Sequence, residues 1–310
     1  MWLSNIITLL FCISFTAARS QRPYEPPHYS NSKNIIELNP LNFDDFIYSS
    51  NYTTIVAFYA PWCGYCKQLR PEFEKASKKG HNYAQFAAVN CDEEKNQKLC
   101  AANNIKGFPT IITYRPPKTF RENIERKEQF ATQPYENKRD AASFVDAMKG
   151  TLKSFVKKLK LKHLPKYLKI EESSKIPRVI LFSDKFTASA TYKSIAIDFK
   201  DLLEFTYVHI DNDDTANYVK ELIPDFQYSE GSPVLLVVDP KKGIVTMEDK
   251  LSKYNISKFL TQFAEPSEGE FSERHKIIEG IKNGKVKSFL HYKKKQARKQ
   301  AEKQLDKDEL

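Results

Sequence analysis

Glycine is thin in this 310-residue chain, with 9 residues, far below the usual share of about 7%. That excludes collagen-like repeats and glycine-rich linkers, and no phosphate-binding glycine loop is present. Paired-carboxylate motifs and a Ser/His/Asp arrangement are also missing, and the six histidines show no ligand spacing, so neither nucleotide nor hydrolase chemistry is supported. Beyond the first twenty residues no apolar run approaches the ~20 residues that cross a bilayer, so the mature chain is expected to have no membrane span. Charge balance is missing too: 49 Lys and Arg against 39 Asp and Glu leave +10. The excess sits at 157–169 and 293–303 without a nucleic-acid motif. It therefore reads as a solvated face and a flexible tail rather than a nucleic-acid site, open to binding acidic partner proteins.

What remains is a soluble globular composition, 41% hydrophobic and 13% aromatic, of a length that suggests two domains. The apolar run Ile6–Phe15, followed by small residues Ala17, Ala18 and Ser20, reads as a signal peptide over 1–20, although no Lys or Arg precedes it. The last four residues, Lys307, Asp308, Glu309 and Leu310, spell the retrieval address of the endoplasmic reticulum. The two ends predict the endoplasmic reticulum lumen, where disulfides persist. Losing Cys12 with the signal leaves Cys63, Cys66, Cys91 and Cys100, enough for two bridges.

Periodicity divides the chain. After a proline-rich, irregular leader over 21–37, a first α/β domain is expected over 38–149: helix 39–50, strand 53–60, a helix beyond Cys66 kinked at Pro71, strand 85–91, helix 95–104, strand 110–115 and helix 140–149. Residues 150–265 repeat the order: strand 154–160, helix 163–173, strand 178–183, helix 190–199, strand 205–210, helix 216–223, strand 233–239 and helix 255–263. No cysteine follows strand 178–183, so this second copy is expected to do no thiol chemistry. A charged extension, 266–310, carries the address.

Cys63 and Cys66, two residues apart in "APWCGYCK", fall after a buried strand and at the start of a helix. A thiol attacks a disulfide only as thiolate, and the free backbone N–H groups and dipole of a helix N-terminus stabilise that anion. Cys66, one turn further in, is placed to resolve the mixed disulfide that Cys63 forms. Zinc ligation by all four cysteines is the alternative. It requires two short cysteine pairs, whereas eight residues separate Cys91 from Cys100. Cys91 ends a strand and Cys100 lies in the next helix, which favours a structural bridge between them over a second redox pair.

The motifs "FYAPWCGYCK" and "GFPT" (107–110), in this order in a βαβ context, closely resemble the catalytic domain of protein disulfide isomerases. The whole chain is most similar to the small single-active-site fungal members. The resemblance implies two tandem thioredoxin-like domains, the first catalytic and the second redox-inactive. It implies a cis Pro109 facing the cysteines, with Trp62, Gly64, Tyr65, Phe108 and Pro109 binding substrate. No cofactor and no metal are implied. The expected activity is thiol–disulfide exchange and isomerisation in folding secretory proteins; a lumenal chaperone or adaptor with a weak thiol centre is the alternative. Partners implied are misoxidised secretory proteins, an upstream thiol oxidase, other lumenal chaperones and the retrieval receptor.

Two departures bear on the chemistry. Tyr65 stands where the family usually carries histidine. A phenol offers a thiolate at most a neutral hydrogen bond, which predicts a potential between those of disulfide isomerase, about −180 mV, and thioredoxin, about −270 mV. Ala57 and Ala88 stand where the resemblance implies a buried carboxylate and a lysine, so resolution by Cys66 is expected to be slow unless Arg139 lowers its pKa. Asn51 and Asn255 head glycosylation sequons.

Overall fold

Six runs of six residues, rich in apolar and β-branched side chains, form the inner strands of two five-stranded sheets. The computed structural model describes residues 25–170 and 176–264, together with 284–285, 294–295 and 298–299. The signal-peptide and retrieval expectations, and most of the charged extension, lie outside the described residues.

The first sheet contains β1 (Ile35–Glu37), β2 (Thr54–Tyr59), β3 (Gln85–Asn90), β4 (Thr110–Arg115) and β5 (Ala131–Pro134) in the order β1-β3-β2-β4-β5. β1, β2 and β3 are parallel, β4 pairs antiparallel with β2, and β5 pairs antiparallel with β4. Every residue of β2 and β3 is buried, because helices cover both faces. On one face α2 (Gly64–Gly80) and α4 (Ala141–Gly150) pack Leu69, Phe73, Phe144 and Met148 onto Ile55, Ala57 and Phe86. On the other, α1 (Phe43–Tyr48) and α3 (Glu94–Ala102) enclose Val56, Phe58 and Val89.

The second sheet repeats the plan. β6 (Val156–Lys158), β7 (Arg178–Ser183), β8 (Glu204–His209), β9 (Val234–Asp239) and β10 (Gly243–Thr246) follow the order β10-β9-β7-β8-β6, with β6, β7 and β8 parallel, β9 antiparallel to β7 and β10 antiparallel to β9. Helices α5 (Leu164–Leu168), α6 (Ala190–Asp198), α7 (Asp213–Leu222) and α8 (Lys253–Leu260) complete it. The chain is thus two tandem thioredoxin-like folds.

Several expected boundaries move. β1 pairs with β3 inside what reads as leader, so the first fold begins before residue 38. The short edge strands β1, β5 and β10 escape a periodicity reading, since three or four residues carry almost no alternation. The helix expected over 163–173 is a 3-10 turn at Leu161–His163 followed by α5, ending where Lys169 turns extended. The helix expected over 39–50 contracts to α1, with Asn42 as its N-cap. α2 continues through Pro71 to Gly80.

The two folds meet at a buried polar knot. The Tyr52 hydroxyl lies 2.6 Å from the Ser194 carbonyl and 2.8 Å from Asp198 Oδ1. Lys253 Nζ reaches Asp198 Oδ2 at 3.0 Å and donates to the Asn82 carbonyl at 3.1 Å.

Candidate functional site

Cys63 is the N-cap of α2. Its extended backbone (φ −75°, ψ 121°) turns the chain from β2 into the helix, and its carbonyl accepts from the N–H groups of Cys66 and Lys67 at 3.1 and 3.0 Å. Its side chain makes no capping hydrogen bond, so the sulfur remains beside the first N–H groups of the helix without spending itself on them. The thiol is half-buried and points to the Phe108 carbonyl, 3.6 Å away. The following peptide, Phe108–Pro109, is cis.

Cys66 is 1% exposed. Its thiol, like that of Cys63, is free, so the pair is in the dithiol form. Burial pushes the Cys66 thiol up to about 12, and the neighbouring Cys63 pushes in the same direction. The Ala60 backbone N–H and the Arg139 guanidinium pull the other way and do not overcome burial. Two sulfurs one turn apart therefore differ in access, and the inner one is held against ionising by its burial.

The surroundings are apolar on the approach side. Trp62 is 40% exposed, meets Phe108 edge-on at 6.2 Å and donates from Nε1 to Asp92 Oδ1 at 2.8 Å. Tyr65 is 72% exposed and stands away from the core. Gly64 has open space around it, with nothing within 4 Å of where a Cβ would sit. Arg139 lies exposed just before α4 and reaches the site only through its charge on Cys66. Cys91 and Cys100 are bonded, S–S 2.01 Å, linking the end of β3 to α3.

Beneath Cys66 the sheet is lined with methyl groups. Ala57 and Ala88 stand opposite each other on β2 and β3, both fully buried, and Glu37 on β1 is the next partner of Ala88 in register. Composition and spacing had given no reason to select Glu37. Its Oε1 accepts from the Tyr59 hydroxyl at 2.7 Å and from the Tyr29 backbone N–H at 3.0 Å. Burial lifts its carboxyl to about 7 against the pull of those two donors. The segment read as irregular leader holds this cluster together: His28 stacks on Tyr59 at 4.8 Å, donates its backbone N–H to the Tyr59 hydroxyl, and places Nε2 3.0 Å from the Pro61 carbonyl. A histidine and an acid interrupting "EPPHYS" and "NIIEL" were the only sequence signals. They bring the leader to within two residues of Cys63.

The sequon residues are both engaged. Asn51 Oδ1 accepts from Arg126 at 3.1 Å, and Asn255 Nδ2 donates to the Lys250 carbonyl at 2.9 Å.

Residues 34–133 match the Thioredoxin family model. A protein disulfide-isomerase of Saccharomyces cerevisiae, MPD1, is 36% identical over 280 residues, covering 83% of this chain and 87% of the yeast protein. The chain belongs to the protein disulfide-isomerase family. A putative protein disulfide-isomerase of Dictyostelium discoideum is 31% identical over 77% of this chain and 54% of its own length. Among solved structures, a crystal structure of ERdj5 (form II) superposes with a TM-score of 0.58 over 81% of this chain and 33% of that one, at 16% identity, a likeness of fold. As a family member the chain is a thiol–disulfide oxidoreductase and isomerase, on two thioredoxin-like folds of which only the first carries cysteines among the described residues.

Proposed function

We propose that Cys63 is the attacking thiol of a centre tuned for isomerisation, and that Cys66 resolves its adducts slowly. The observation that carries this reading is the contrast between the two sulfurs: Cys63 half-exposed at a helix N-terminus, Cys66 buried with its thiol held up to about 12. In the forward step the Cys63 thiolate attacks a client disulfide, forming one S–S bond and releasing one client thiolate. Cys66 then loses its proton and attacks Cys63, releasing the second client thiol and leaving a Cys63–Cys66 disulfide; the reverse sequence oxidises a client. When Cys66 is slow, a client thiol has time to attack the mixed disulfide instead, and the client bond is moved rather than removed. Trp62 and Phe108 supply an apolar wall for unfolded segments, with Gly64, Tyr65 and Pro109 lining the same approach. Arg139 assists by favouring the Cys66 thiolate.

Cys63→Ser should abolish isomerisation of a scrambled client, and Cys66→Ser should trap mixed disulfides visible on non-reducing gels. An isomerase rate unchanged in Cys63→Ser overturns the assignment. Ala57→Glu, which puts a carboxylate beneath Cys66, should speed resolution at least tenfold; an unchanged rate would show that proton removal does not limit. Tyr65→His should raise the potential in glutathione buffers from a starting value between about −270 and −180 mV, and a wild-type value at or above that range would sink the tyrosine argument.

The proposed setting is the endoplasmic reticulum lumen, supported by the apolar run Ile6–Phe15 and by Lys307–Asp308–Glu309–Leu310. Clients are then folding secretory proteins, with an upstream thiol oxidase, other lumenal chaperones and a retrieval receptor as partners. A second reading, a holding chaperone or adaptor, is favoured by Phe186, 73% exposed on the cysteine-free fold. Folding assistance that survives replacement of both Cys63 and Cys66 by serine would support it over the enzyme.

A further inference from the structure

Far from the cysteine loop, a cavity of about 680 Å³ opens between the two folds and the C-terminal segment, within the range of small-molecule sites. Its lining is basic. Lys33 enters from the segment before β1, His81 from the end of α2, Lys253 from the start of α8, and Lys294, Lys295 and Arg298 from the C-terminal segment. Among the described residues no acidic side chain lines it. Lys253 is neutralised from behind by Asp198, and Arg298 donates to the Ser32 carbonyl, which fixes the guanidinium at the wall.

Lys294 is the decisive group. It is 5% exposed, and among the described residues its Nζ has no hydrogen-bond partner. An unpaired ammonium out of water is strongly unfavourable, and buried charges in folded proteins are paired. Burial drives its ionisation down to about 7, and the like charges of Arg298 and Lys253 add to the effect. A concave site that among the described residues gathers several cations, no lining anion and one ammonium without a partner is built for a negative charge supplied from outside. Lysines as point charges and an arginine fork suit phosphoryl oxygens.

We propose that this cavity binds a compact diphosphate, either as a free pyrophosphate group or as the diphosphate of a nucleotide. Binding there joins the leader, both folds and the C-terminal segment through one ligand, and it is independent of the thiols. The test uses the full chain titrated with pyrophosphate by calorimetry, in parallel with thermal unfolding. Saturable one-to-one binding with a rise in Tm is expected. Lys294→Met, which keeps the hydrocarbon stem, should weaken binding at least about tenfold while leaving the free protein as stable or more so, because the unpaired cation is gone. Lys33→Ser on the exposed rim should weaken it less, and provides the same test should Lys294→Met fail to fold. Exposed Lys166→Ala and Cys63→Ser should bind as wild type does. Tighter binding of ADP than of pyrophosphate assigns the nucleotide, and equal affinity assigns the diphosphate alone. No response of the wild type at millimolar pyrophosphate, or equal weakening by Lys294→Met and Lys166→Ala, overturns the proposal.

Discussion

At the scale of single residues, Glu37 shows how a carboxylate can hide from sequence reasoning. The run "NIIEL" reads as an unremarkable polar break, yet the strand register carries Glu37 onto the cysteine-bearing face, where Tyr59 and Tyr29 hold its Oε1. Its raised carboxyl has a defined sign. The folded state binds the proton more tightly than the unfolded chain, so the group's contribution to stability is full below the ordinary carboxylate range and is lost as pH rises to about 7. Glu37→Gln imitates the protonated form and can keep both donors on its oxygen. Between pH 5 and pH 7.5 the wild type should lose stability to urea relative to Glu37→Gln, by no more than about 1.4 kcal/mol per pH unit; parallel curves would refute the assignment. The cysteines themselves were legible because the reactive motif is contiguous. His28, Tyr59 and Asp92 were not, because their proximity to Cys63 arises from β1, β3 and the leader folding around it.

At the scale of elements, the long central strands and most helices could be read from periodicity, since β2, β3, β7 and β9 are continuous apolar runs flanked by amphipathic segments. The edge strands could not. β5 is wholly exposed, and only pairing with β4 defines it. The hairpin joining β9 to β10 turns at Gly243, whose φ of +81° needs a residue without a Cβ. Such a cue becomes legible only beside a recognised strand. The Cys91–Cys100 bridge belongs to this scale, because it ties α3 to the strand that precedes it across nine residues of sequence. Replacing both cysteines with serine should cost about 2.7 kcal/mol by loop entropy. Urea midpoints should report the loss, whereas thiol exchange at Cys63 under native conditions should be little changed; undiminished stability would show the bridge to be dispensable.

At the scale of the whole molecule, the knot of Tyr52, Asp198 and Lys253 connects the catalytic fold to its cysteine-free partner. Removing one charge strands the other. Lys253→Met should therefore destabilise by about 3–5 kcal/mol, while the double change Asp198→Leu with Lys253→Met should restore most of the loss; calorimetric unfolding of the four proteins closes the cycle, and additive losses would deny the coupling. The duplicated architecture was legible as a faint repeat, but this junction was not, because its members lie up to 201 residues apart. Shared strand order also gives the second fold a counterpart of the reactive tip. There Ser189 caps α6, its hydroxyl accepting from the Tyr192 N–H at 3.2 Å, whereas Cys63 leaves the equivalent donors of α2 uncapped by its side chain. One copy keeps its socket vacant beside a thiol; its twin has been plugged by an alcohol and has no sulfur at that tip to expose.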